Sequence, residues 1–132
     1  MYDKDVYHFL VLHFPIAVLT TGYMFDILYN IFKKEEFKNY VLWMMGMGII
    51  WGLISIITGY VTAIEMGHID SVYDVFQKEH SRNMIICVFY FIILFILKNK
   101  NFNHKILLFL HTIGIIFLMY GAHLGAKAAE RI

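Results

Sequence analysis

Residues 7–26 read YHFLVLHFPIAVLTTGYMFD. At about 1.5 Å of rise per residue, an apolar helix of roughly 20 residues matches the ~30 Å hydrocarbon layer of a bilayer. The stretch is therefore read as a membrane span. It also holds His8, His13 and Asp26, ionisable groups that a lipid-facing segment does not keep without a task. The rest of the chain supports the reading. Of 132 residues, 60% are hydrophobic and only 16% charged, and the mean hydropathy is +0.64. A soluble domain is nearer 45–50% apolar. The formal net charge of +1 offers no broad basic field for nucleic acid.

Working outward, four apolar runs qualify as helical spans: about 8–32, 40–66, 82–98 and 104–125. They are too long and continuous for barrel strands. The predicted fold is an all-α, four-transmembrane-helix up-and-down bundle, one integral membrane domain over 1–132. No internal repeat and no Gly/Ser/Pro linker is evident. The first run is longer than a signal-peptide core and is read as a retained span. The single Cys, Cys87, lies in an apolar run, where it reads as a small buried hydrophobe. Lys33, Lys34, Lys38, Lys98, Lys100 and Lys105 fall in two short loops. The positive-inside rule then puts those loops in the cytoplasm and both termini outside, in the inner (cytoplasmic) membrane.

Depth sorts the seven histidines. His8, His13, His68, His80 and His123 converge on the end of the bundle that carries the termini. His104 lies at the other surface, and His111 about 10 Å deeper from it. Neutral imidazole is the commonest metal ligand. His8 and His13 are five residues apart, about 140° around a helix, so an undistorted helix cannot aim both at one site. Pro15 is expected to start the helix or kink it. Gly48, Gly52, Ser55 and Gly59 form a small-residue stripe, echoed by Gly114, Gly121 and Gly125. It reads either as close helix packing or as room for a flat macrocycle.

The motif H-x4-H-F-P-I-A at 8–17, with Asp26 beyond it, resembles the opening of a family of small, largely uncharacterised four-helix bacterial membrane proteins. TGYVTA at 58–63, HSRNM at 80–84 and GAHLGAK at 121–127 agree more loosely. The resemblance implies a b-type haem role, carried onto His8, His13, His80 and His123 as axial candidates. His68 ranks lower, having no counterpart in the pattern.

The sequence therefore favours a small membrane b-type cytochrome with one or two haems b, an electron-transfer subunit rather than a stand-alone enzyme. Arg82, Tyr7 and Tyr73 are propionate candidates. Its expected partners are the lipid bilayer and a redox protein or quinone, with an oligomer open and no nucleic acid. One alternative is a non-haem metal site from His13, Glu65, His80 and His123. Another is a cofactor-free accessory subunit of a respiratory complex. Asp26 and His111 share a depth at the end opposite the histidine cluster and are expected to pair, with Tyr23 or Tyr29 as other partners for Asp26. The sharper reading of that pair is proton handling linked to redox change at the haem.

Overall fold

In the computed structural model, residues 4–67 and 69–128 are described. They form five helices: α1 (Lys4–Phe32), α2 (Glu35–Glu65), α3 (Val72–Gln77), α4 (Glu79–Asn99) and α5 (His104–Ala128). Four of these, α1, α2, α4 and α5, are long and apolar enough to cross a bilayer. Each long helix packs on two others, α1 on α2, α2 on α4, α4 on α5 and α5 on α1. The result is a closed ring in which α1 faces α4 and α2 faces α5 across the core. Leu19, Val41, Met45, Cys87, Phe91, Leu94, Leu107 and Leu118 fill its middle. Large apolar side chains such as Trp43, Ile57, Phe89 and Ile116 stand on the outside, where lipid is as good a solvent for them as the core.

The turns explain where the helices stop. Lys33, with φ of 56°, closes α1 in the left-handed conformation, and its N–H bonds back to Tyr29 O at 2.8 Å. Asn103 starts α5 by accepting the N–H groups of Lys105 and Ile106 at 3.0 and 3.3 Å, as an N-cap does. In the loop between α2 and α4, Ser71 and Asp74 form a reciprocal capping box for α3. That helix falls between the second and third expected spans. The carboxyl of Asp74 is held below the usual carboxylate range, first by the backbone N–H of Asp70 and then by Ser71.

Of the two places expected of Pro15, it does not start a helix but lies buried inside α1. Two expectations change. His80 is not ahead of its span but within the first turn of α4. Lys98 is not a loop charge: it is 6% exposed, inside the bundle. Without Lys98, five lysines remain at that end (33, 34, 38, 100 and 105), and the two ends are called here the termini end and the loop-lysine end.

Candidate functional site

Two polar layers cross the apolar bundle, one near each end. At the termini end, His8 on α1 and His80 on α4 are half-buried. His8 Nδ1 bonds Thr58 Oγ1 on α2 at 3.1 Å. His80 Nδ1 bonds the carbonyl of Gly121 on α5 at 3.0 Å, so it carries the hydrogen and donates. With the Nδ1 positions so used, each ring has Nε2 left over, and no residue among those described bonds to it.

Both rings rest on glycine. A Cβ on Gly59 would lie 2.8 Å from His8 Cε1, and one on Gly125 2.6 Å from His80 Cε1. Those two members of the small-residue stripe seat imidazoles. The others do not line a slot for a macrocycle. Leu19 packs on Gly48, Val88 on Gly52, and Tyr90 with Phe91 on Gly114; Met84 and Asn83 pack on Gly121. The stripe is mainly close packing.

The other candidates fall elsewhere. His13 and His123 are exposed on the outside of the bundle, and His13 Nδ1 is turned back to Phe9 O of its own helix. The 140° offset between His8 and His13 accounts for their separation. Arg82, Tyr7 and Tyr73 are exposed near the same end, and Glu65 is exposed at the close of α2. His68 lies outside the described residues. Among the described residues, no three His, Cys, Asp or Glu side chains are grouped to hold a metal ion; the alternative set of His13, Glu65, His80 and His123 is not gathered.

The second layer lies toward the loop-lysine end. Asp26 on α1 is 3% exposed and His111 on α5 is 0% exposed; Asp26 Oδ2 meets His111 Nδ1 at 2.8 Å. Their expected pairing is present. The same oxygen accepts from Lys98 Nζ on α4 at 2.5 Å, a third member that the sequence reading placed in a loop. Asn30 Nδ2 reaches Asp26 Oδ1 at 3.5 Å. The tyrosines bond elsewhere: Tyr23 with Thr112 at 2.9 Å and Tyr29 with His104 at 3.2 Å. An isolated carboxylate here would cost several kcal/mol; an ammonium and an imidazole on one oxygen offset that cost.

The missed lysine had a signal. Eighteen residues separate His8 from Asp26, and eighteen separate His80 from Lys98. Eighteen is about five turns of 3.6 residues, so each pair shares one helix face about 27 Å apart. The α1–α2 and α4–α5 hairpins thus repeat one device. The first helix of each carries a His near its start and a charge five turns on, and the second seats that His on a glycine.

One comparison places the chain. The family described as predicted membrane protein (DUF2231) matches residues 5–132. No curated protein and no solved structure matches significantly. With nearly its whole length matched, and with four helices able to cross a membrane, the chain belongs to the DUF2231 family of predicted membrane proteins.

Proposed function

We propose that the protein is a small b-type cytochrome of the cytoplasmic membrane, holding one haem b near its termini end with His8 and His80 as the axial pair. The observation that carries this reading is the state of those two imidazoles. They come from helices that face each other across the bundle. Each has Nδ1 fixed by a neighbouring helix, which sets tautomer and orientation as an outer-shell partner does for a metal-bound His. Each keeps Nε2, the usual iron-binding atom, unspent, and each is backed by a glycine that admits the ring.

Haem, when bound, supplies a one-electron couple whose potential is tuned by axial ligands, hydrogen bonds and burial. The chain's own part is to orient the ligands and to surround them with apolar packing. Met84 and Asn83 lie on Gly121, one turn below the His80 seat. Arg82, exposed on the same helix, is our candidate partner for the acidic edge of a haem. His13 and His123 face outward, and a single site is therefore proposed. Electrons would pass to a redox protein or a quinone at the termini end.

The test is direct. Chain purified from cells supplied with haem should carry an intense Soret band and about one haem per polypeptide, extractable without breaking a covalent bond. Colourless protein that also fails to take up added haem contradicts the reading.

A further inference from the structure

The bis-histidine layer leaves the Asp26, Lys98 and His111 layer without a role, and that layer is unusual in one respect. His111 is completely buried, and its Nε2 has no hydrogen-bond partner. Tyr23 and Phe91 meet the ring in T-shaped contacts, with centroids 5.3 and 5.9 Å away. On its other side Nδ1 meets a carboxylate. An imidazole that keeps one hydrogen on Nε2 can take a second at Nδ1, where the Asp26 carboxylate accepts it.

The layer also has a way out. A cavity of about 10 Å³, room for roughly one water, touches Asp26 and Lys98 and extends toward the loop-lysine end between Tyr29, Lys38 and His104. Leu42 and Leu107 supply apolar wall. At the mouth, Lys38 Nζ bonds Asn101 Oδ1 at 2.8 Å and Tyr29 bonds His104. Every long helix contributes a titratable group: Asp26, Tyr23 and Tyr29 from α1, Lys38 from α2, Lys98 from α4, and His104 with His111 from α5. Lys33 and Glu35 add charge just outside, near His104.

From these observations we infer that Asp26, Lys98 and His111 form a proton-binding site that exchanges with water at the loop-lysine end through this cavity. In the loaded state His111 is an imidazolium, Asp26 a carboxylate and Lys98 an ammonium. On release, Lys98 gives a proton from Nζ to the cavity water. It is refilled from the His111 Nδ1–H by way of Asp26 Oδ2, the one oxygen that both touch. His111 is left neutral with its hydrogen on Nε2, its Nδ1 hydrogen bond to Asp26 is given up so that the two acceptors draw apart, and one proton has moved to water. Uptake reverses these steps. Asp26 and Lys98 both line the cavity, and Lys98 is the group from which the proton leaves.

The site stands independently of haem, and so does its test. Full-length chain with nitrogen-15 histidine, in phosphatidylcholine vesicles, is followed by solid-state NMR against bulk pH. The His111 ring is recognised by its hydrogen bond to Asp26 and by the signal lost in His111→Gln. The expected result is a single ring that gains a hydrogen as pH falls, at a nitrogen shielded from bulk water. In Leu42→Phe, which fills the cavity and replaces none of the three groups, approach to equilibrium after a pH jump slows by roughly tenfold or more. Should the variants misfold, the wild-type titration still decides. A His111 ring fixed in one state at every pH where the chain is folded overturns the site. A Leu42→Phe chain that equilibrates at the wild-type rate overturns the route.

Discussion

Lys98→Met separates two positions for one amine. In the structure the amine lies 2.5 Å from a carboxylate that is almost fully buried. Methionine keeps the stem's volume but removes the charge, leaving Asp26 with His111 Nδ1 at 2.8 Å and a long contact to Asn30. Breaking one side of a buried pair costs about 3–5 kcal/mol, because the remaining charge is left without compensation. Removing both charges in Asp26→Asn with Lys98→Met abolishes that penalty, and the double variant should unfold within about 1–2 kcal/mol of wild type. With Asp26→Asn alone costing as much as Lys98→Met, the two changes should show a coupling of at least about 4 kcal/mol in a double-mutant cycle. Reversible unfolding in lipid-containing micelles, followed by the loss of Trp43 and Trp51 fluorescence, reads all four proteins. The competing arrangement is a lysine whose flexible stem lifts its amine to the water interface. If Lys98→Met unfolds within about 0.5 kcal/mol of wild type, as expected of an interfacial lysine, the buried triad is wrong.

Three further outcomes follow from the geometry. Gly59→Ala and Gly125→Ala place a methyl within 2.8 and 2.6 Å of His8 and His80; at about 1–3 kcal/mol of overpacking, haem affinity should fall roughly ten- to a hundredfold, read by haem titration, while helix content stays the same. Asp74 has a folded-state pKa below its unfolded value, so its contribution to the α3 cap is complete above the ordinary carboxylate range and is lost as pH falls through the lowered value. Protection of the Asp70 and Ser71 amides from hydrogen exchange, taken relative to the unprotected rate at the same pH, should fall on acidification, and in Asp74→Asn it should already be lower at neutral pH. The two polar layers lie about 27 Å apart along α1, where one unit charge acts on another by about 0.6 kcal/mol at an effective dielectric of ~20, or about 27 mV for one electron. Potentiometry of Asp26→Asn and His111→Gln should find the haem potential moved by no more than about that amount, which limits the redox-linked proton coupling that the sequence alone invites.

Much of the frame was legible because lipid leaves a chain few choices. Long apolar runs separated by short polar ones had to be helices, and short loops had to make them antiparallel neighbours. Depth along the helices brought Asp26 level with His111, and rotation by five residues set His13 off the face of His8. The triad was only partly legible. Lys98 is followed by Asn99, Lys100 and Asn101, and a lysine at the head of such a run ordinarily sends its amine to water. Only its five-turn spacing from His80 marks it as core-facing. The division of labour among the glycines was not legible. Whether Leu19 or His8 meets a gap in α2 depends on helix register, which small-residue spacing does not determine. The α3 capping pair, Ser71 and Asp74, was visible but short enough to pass as loop.

The central claim is that His8 and His80, and not the other histidines of the same end, hold a haem. Four single variants, His8→Ala, His80→Ala, His13→Ala and His123→Ala, purified with haem in excess, test it through reduced-minus-oxidised spectra and the ratio of haem to protein. The account predicts that His13→Ala and His123→Ala keep the wild-type spectrum and stoichiometry, because both side chains stand on the outside of the bundle. It predicts that His8→Ala and His80→Ala each lose the low-spin bis-histidine bands and most of the haem. Haem retained with unaltered bands in either of the latter two, or lost on removal of His13 or His123, would contradict it.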